Sequence, residues 1–329
     1  MNDRAIVVLE QYDLSINKTW KGRNAYFFET SDGTFTIKEY HKSVERIHEL
    51  NQLLQSIREN KDIFAEQLVP NKEGEFLTTD ADRTVYFVKT YPQGRECDIK
   101  QEHEFLEAVK SMARLHEAMK NPLLAEKIEA GEFPFLTECK KRNKELVKVR
   151  KYLKQKSQKT TFELFLIKHY DHFLEIAREV EQNLEKQDHE KWLEIIKTEG
   201  LFCHGQFQHH NILVTKEGCH IINFEKFLLE NPVKDLYLFM RKLLEKNDWD
   251  IGLAKKMLDA YTEERELTEI DKKQLKLRFQ YPEKFWKIVN AYYNSPKSWI
   301  PDKNKEKLEK LIALESKQIQ CIEWIGNYR

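Results

Sequence analysis

The chain has little glycine or proline: 10 and 8 among 329 residues. An all-β or low-complexity chain needs more of both at its turns, so long helices are expected. Net charge is missing too. Lys and Arg total 55, Asp and Glu total 55, and the formal charge is zero. No global field draws the chain to nucleic acid or to a membrane surface, so any such patch must be local. No apolar run approaches the ~18 residues that would span a bilayer. Met1 to Leu9 hold no secretory apolar segment of useful length. A soluble protein made in the cytosol is expected. Five cysteines, at 97, 139, 203, 219 and 321, form no C-x-x-C. An odd and scattered set reads as reduced thiols rather than a disulfide framework or a structural zinc. A glycine-rich phosphate loop is nearly missing, since Gly22 is the only glycine before the Asp32-Gly33 turn.

Enough remains to build a core. Hydrophobic residues make up 40% and charged residues 33%, in a length that suits one large domain or two lobes sharing a cleft. The first ninety residues read as a β-rich unit with one helix. Asn24 to Thr30 and Thr34 to Tyr40 are strands around the Asp-Gly turn. Ile47, Leu50, Leu53, Leu54 and Ile57 then form an apolar stripe at helical spacing. Glu75 to Tyr91 fits another hairpin, with its turn at Asp80 to Arg83, and Tyr91 to Arg95 looks like a hinge. From about Ile99 the pattern is helical, with Phe105, Val109, Met112, Ala113 and His116 on one stripe. Long helices are expected over about 137–152 and 162–186, and further helices from Val233 to the end, broken near Pro296 and Pro301. There is no internal repeat, and no linker is long enough to separate independent domains.

The chemistry concentrates in one hairpin. Cys203-His204-Gly205-Gln206-Phe207-Gln208-His209-His210-Asn211 is followed by Ile221-Ile222-Asn223-Phe224-Glu225. Phosphotransferases of the protein-kinase type place an Asp on such a loop, a metal-binding Asn after it, and a second metal-binding Asp at the end of the hairpin. Here the loop Asn is Asn211, and the two Asp positions read Gln206 and Asn223. Asn211 offers a carbonyl oxygen to Mg²⁺, a cation that prefers oxygen ligands. Asn223 lends only a neutral oxygen, so metal affinity falls. Gln206 can hydrogen-bond an acceptor hydroxyl but has no useful basicity. Glu225 keeps a carboxylate and could take over metal binding. Upstream, Lys38 near the end of the second strand is placed to hold nucleotide phosphates and to pair with an acid on the next helix, Glu49 or alternatively Glu45.

Other features are weighed against blander readings. His204, His209 and His210 with Cys203 fit no common zinc spacing, and His204 reads as a loop-bracing histidine. Asp235, at the start of a helix, is a cap or a buried acid that holds the loop. The run Lys140-Lys141-Arg142-Asn143-Lys144, continuing to Lys159, has only Glu145 opposing it. It is a cationic helix face, either solvated or facing an acidic partner, with too few aromatics to stack on single-stranded nucleic acid. The aromatics from Tyr281 to Trp299 read as core and helix contacts, with the rim of a cleft as the alternative.

These residues make the chain resemble the spore-coat protein S (CotS) family, bacterial relatives of the aminoglycoside and choline kinases. The resemblance rests on TFTIKEY around Lys38, YPQGRE at the hinge, MARLHEA around His116, CHGQFQHHNIL with IINFEK in the hairpin, NPVKDLYLFMRK, and the stretch from YPEKFWK to NKEKLEKL. It implies an α+β, two-lobed protein-kinase-like (aminoglycoside phosphotransferase-like) fold. A small β-rich lobe over 1–92 would precede a large helical lobe over 93–329 that carries the hairpin. It implies ATP and Mg²⁺ as ligands, with Lys38 and Glu49 on the nucleotide, position 206 as the catalytic residue, and Asn211, Asn223 and Glu225 on the metal. The amides at 206 and 223 weaken that set. It also implies synthesis in the cytoplasm of the mother cell and then residence in the spore coat, with other coat proteins as partners and neither membrane nor nucleic acid expected. The leading reading is a degenerate kinase that acts in coat assembly by binding. The alternatives are an active ATP-dependent phosphotransferase on a small hydroxyl compound or a coat protein, and a polyanion-binding module working through the basic helix.

Overall fold

The structure is a computed structural model that describes residues 7–22, 25–60, 62–129, 133–294 and 301–328. The starting Asn24 of the first expected strand, the expected break near Pro296, and Trp299 lie outside the described residues. Packing groups the chain into two compact units. One comprises Met1–Ile128, Ile196–Leu236 and Ala260–Arg265; the other comprises Glu129–Ile195, Tyr237–Asp259 and Glu266–Arg329. Each unit is thus assembled from separate stretches of chain.

In the first unit, β1 (Ile16–Gly22), β2 (Ala25–Thr30) and β3 (Gly33–Glu39) form a meander. Gly33 closes the β2–β3 turn at φ 134°, a backbone value that disfavours side chains. β3 pairs with β7 (Val85–Tyr91), and β7 pairs in turn with β5 (Leu68–Val69) and β6 (Thr78–Thr79). Phe28, Phe35, Ile37, Tyr86 and Val88 from this sheet pack with Val8, Leu9 and Tyr12. Each fully buried side chain of this size contributes about 1.5–3 kcal/mol. Helix α1 (Val44–Glu59) starts at Ser43, whose hydroxyl accepts from the Arg46 amide, and buries Ile47, Leu50, Leu53, Leu54 and Ile57. These are the five residues of the predicted stripe. Helix α2 (Glu102–Ala118) buries Phe105, Val109, Met112, Ala113 and His116, again as the spacing requires, and the short α3 (Pro122–Lys127) follows it.

A second, small sheet positions the chemistry. β4 (Phe64–Ala65) runs parallel to β11 (Cys219–Ile221), which pairs with β10 (Ile212–Val214), and β10 pairs with β8 (Arg95–Glu96). The loop entering β10 follows β9 (Phe202–Cys203), which pairs with β12 (Leu228–Leu229). Gly205 in that loop has φ 78°, and a Cβ there would lie 2.2 Å from the Lys226 carbonyl oxygen. Only glycine lets the two segments approach so closely.

The second unit is helical. α4 (Pro134–Gln155) and α5 (Thr161–Glu185) are the two long helices expected, each within three residues of its predicted ends. A reciprocal cap, Thr160 with Glu163, starts α5. α6 (His189–Glu199) was not anticipated. α7 (Val233–Leu244), α8 (Ile251–Thr262), α9 (Glu269–Gln280), α10 (Glu283–Asn294), α11 (Pro301–Ala313) and α12 (Glu315–Gly326) complete the order. Tyr281 and Phe285 are buried, and the Trp286 indole donates to Glu145 at 2.8 Å, so these aromatics serve as core and helix contacts. The basic face of α4 does not stay unopposed. Lys140 meets Glu185, Arg150 and Lys154 meet Asp171, and Lys156 meets Glu163. All three acids lie on α5, which the chain alone could not bring into register with α4. None of the five cysteines is in a disulfide, and all are buried.

Candidate functional site

All the hairpin residues singled out above, and Lys38, fall in the first unit. Lys38 leaves β3 with its ammonium 2.5 Å from Asn223 Oδ1 and 3.1 Å from Glu225 Oε1. A second lysine shares these acceptors. Lys89 on β7 is 1% exposed and donates to Glu66 at 2.8 Å, to Glu225 at 2.7 Å and to Asn223 Oδ1 at 3.3 Å. Glu66, 2% exposed, also accepts the Phe224 amide at 3.0 Å. Two ammonium groups and two carboxylates therefore balance around one amide. Sheet pairing sets the lysines: Lys38 faces Phe87 across the β3–β7 ladder, and Thr36 faces Lys89.

Burial alone would push the Glu225 carboxyl up, but Lys89 and Lys38 overrule it and hold it well below the usual carboxylate range. Burial would also lower Lys89; Glu66 and Glu225 hold it above the ordinary lysine value instead. Lys38 ends below that value, first through burial and then through repulsion from Lys89. The second lysine is thus the dominant fixed charge of the cluster.

The amides form a chain. Asn223, in the left-handed region at φ 68° and ψ 55°, donates through Nδ2 to Asn211 Oδ1 at 2.8 Å, and Asn211 Nδ2 donates to the Gln206 carbonyl at 2.8 Å. Left-handed backbone is tolerated by Asn and Asp better than by other side chains. Three of the oxygens that the sequence offered to Mg²⁺ thereby face a donor: Asn211 Oδ1 an amide, Asn223 Oδ1 and Glu225 Oε1 two ammonium groups. A hard cation needs converging oxygens whose lone pairs are available. Asn211, Asn223 and Glu225 lie in one hydrogen-bonded cluster, and in this arrangement Lys38 and Lys89 face Asn223 Oδ1 and Glu225 Oε1.

The expected Lys38–Glu49 pair is not formed. The Glu49 carboxylate accepts from Arg46 at 2.7 Å, and the Arg46 guanidinium stacks on Phe227 at 3.5 Å. Arg46, one turn before Glu49 on α1, satisfies that acid locally, while Glu225 supplies the lysine's partner from far along the chain. Glu45 is exposed. Gln206 is half-buried, and its backbone amide donates to His204 Nδ1 at 3.1 Å. His204, fully buried, donates through Nε2 to the Ile222 carbonyl at 3.0 Å. Asp235 resolves to the brace: it accepts the backbone amides of His204 and Gly205 at 2.6 and 3.0 Å, and His116 Nε2 at 3.3 Å. His116 Nδ1 in turn meets the Tyr261 hydroxyl at 2.8 Å. Burial keeps His116 below the ordinary histidine value, so it is a neutral support.

Lys89 and Glu66 were missed. The signal available was a lone lysine inside the apolar run VYFVKTY, where a buried ammonium requires a buried acid.

With this geometry in hand, comparison with known proteins is informative. A family model described as "Spore coat putative kinase YutH" matches residues 6–325. The chain belongs to this CotS-like family. The fold is shared with an aminoglycoside phosphotransferase from Alicyclobacillus acidocaldarius, at TM-score 0.82 and 18% identity over 98% of this chain and 95% of that one. Amicoumacin kinase, solved with AMP-PNP and Ca²⁺, aligns at TM-score 0.59 and 11% identity over 99% and 94%. Choline kinase from Streptococcus pneumoniae aligns at 0.52 and 12% over 96% and 98%. The fold is thus aminoglycoside phosphotransferase-like, with a β-sheet N-terminal region and a mostly helical remainder. The family name points to the spore coat. Among the described residues, no helix is long and apolar enough to cross a membrane.

Proposed function

We propose that this chain is a kinase-fold coat protein in which phosphotransfer has been lost, and that it acts in coat assembly by binding other coat proteins. One observation carries the reading: the oxygens of Asn223 and Glu225 are held by Lys38 and Lys89, and that of Asn211 by the Asn223 amide. A missing general base removes about 10²–10⁴ in rate. Loss of metal-borne charge stabilisation removes a separate, comparably large term. Gln206 supplies no base, and Lys89 is too buried to follow a phosphoryl group as its charge develops. Nucleotide remains the ligand that the fold's neighbours suggest, since spectinomycin phosphotransferase and amicoumacin kinase were solved with AMP and AMP-PNP. In this chain it would bind through Lys38 without help from Mg²⁺. Synthesis in the mother-cell cytoplasm before deposition on the coat belongs to the same proposal.

An active phosphotransferase is the competing reading, because phosphoryl transfer depends chiefly on positioning and charge neutralisation. The polyanion-binding reading loses support from the acids of α5 that pair with Lys140, Arg150, Lys154 and Lys156. The deciding experiment is calorimetric titration of ATP with Mg²⁺ and with EDTA, beside a turnover assay. Equal affinity in both buffers and background turnover support the proposal. Brisk Mg²⁺-dependent turnover abolished by Lys38→Ala overturns it. A second arm replaces Gln206→Asp, Asn223→Asp and Lys89→Met together; recovery of Mg²⁺-sensitive binding would assign the loss to these three positions.

A further inference from the structure

Charge around the largest cavity of the second unit is spent on the protein itself. The cavity measures about 730 Å³, and the hairpin contributes no residue to it. At its rim Arg241 pairs with Glu283 and Glu245, Lys284 with Glu245, Lys310 with Asp248, and Glu315 with His172. Lys242 has interactions of its own. Of the other lining charges, Glu179 and Glu323 balance Lys246 and Lys307 in number, and all four are exposed. The rim therefore prefers neither sign. A charged ligand would lose water there without gaining a counter-ion.

The interior is built differently. Its floor is aromatic: Phe173 of α5, Trp249, and Phe279 and Tyr281 at the end of α9, all nearly fully buried. Trp249 holds its place at a cost. It and Asp248 have φ of 60° and 49°, in the left-handed region that bulky side chains avoid. Residues held in such conformations cluster at ligand clamps, and here the indole meets the Phe279 ring edge-on at 6.1 Å. Above the floor, Ile176, Leu311 and Leu314 are half-buried, and Ile319 of α12 is 48% exposed. Two neutral polar groups complete the lining. Gln280 and Gln318 are half-buried, and their side-chain amides make no hydrogen bond among the described residues. A concave apolar site of roughly 300–1,000 Å³ with a few polar groups is the usual form of a small-molecule site. The polar groups on offer here are amides, which donate to and accept from a hydroxyl or a carbonyl.

We infer that this cavity binds one uncharged amphiphilic small molecule, with its alkyl or aromatic body on the Phe173–Trp249–Phe279 floor and its hydroxyl or carbonyl group at the Gln280 or Gln318 amide. This site is separate from the lysine–amide cluster and does not depend on the fate of phosphotransfer. The full-length protein would be titrated calorimetrically with decanol, decanoate and decyltrimethylammonium, each below its aggregation concentration. Decanol should bind one to one, and both ions at least about tenfold more weakly. Leu314→Trp, which fills the mouth, should weaken decanol at least about tenfold, with Ile319→Trp as the substitute if the first variant does not fold by circular dichroism. Sedimentation velocity should give the same molecular mass with and without decanol. Absence of decanol binding overturns the inference, as does binding of either ion as tight as that of decanol; both outcomes are read on the unaltered protein. Decanol binding that survives a folded filling variant overturns it too. A dimer that decanol dissociates would also overturn it, by assigning the cavity to a second copy of the chain.

Discussion

Each unit contains a buried cluster of charge, and the two are built differently. In the second unit Glu283 is surrounded: Arg241 at 3.2 Å, Lys287 at 2.5 Å, Arg142 at 3.8 Å and the Tyr237 hydroxyl at 2.7 Å. Donors outnumber the acceptor, and one of them comes from the same helix, four residues on. In the first unit Lys89 links Glu66 to Glu225 and Asn223, partners from two separate stretches of chain, and Lys38 shares the last two. Redundancy marks a cluster that holds helices together. Dependence of Glu66 on a single cation marks one that ties the hairpin to the sheet. The same physics of buried charge serves both, and the difference lies in how many partners survive the loss of one.

That contrast can be broken by experiment. Lys89→Met should have the largest effect, about 3–5 kcal/mol in urea unfolding, because it leaves Glu66 without a counter-ion. A loss no larger than that of an exposed pair would remove the special standing of this lysine. Acid should strike the other cluster. Burial would raise the Glu283 carboxyl, but Arg241 and Lys287 lower it to about 2. A depressed folded value contributes stability that is complete above the ordinary carboxylate range and is lost as pH falls towards about 2. The loss is about 3 kcal/mol, read from melting temperature against pH and reduced in Glu283→Gln. Arg241→Met should cost less, about 1.5–3 kcal/mol, since Lys287, Arg142 and Tyr237 remain. A cost equal to that of Lys89→Met would erase the distinction. The smallest effect belongs to the α4 face, where Arg150→Ala should change stability by at most about 1 kcal/mol because Asp171 is largely exposed.

Much of this was legible in advance where the signal was local. The stripes of α1 and α2 are periodic, so their buried faces could be read residue by residue. The spacing from His204 to Glu225 identified the hairpin. The partner of Lys38 differs from the expected Glu49 because Glu49, an acid on the following helix, is satisfied by Arg46 within that helix. Asp235 remained ambiguous between cap and brace, since both roles suit an acid in a helix's first turn, and only the approach of the His204–Gly205 backbone decides. The family match then agrees with the CotS-like resemblance that the motifs had implied.

The sequence by itself determined which side chains are available: amides at 206 and 223 where anions would be needed, and apolar periodicities strong enough to commit the helices. The tertiary structure alone decided where the compensating charge sits. Lys89 is 134 residues from Asn223 and 23 from Glu66 along the chain, and the pairing of β5 with β7 and of β4 with β11 brings them within hydrogen-bonding distance. A buried ammonium is stable only once its acids are assembled around it, and that assembly is a property of the fold rather than of any local run of residues.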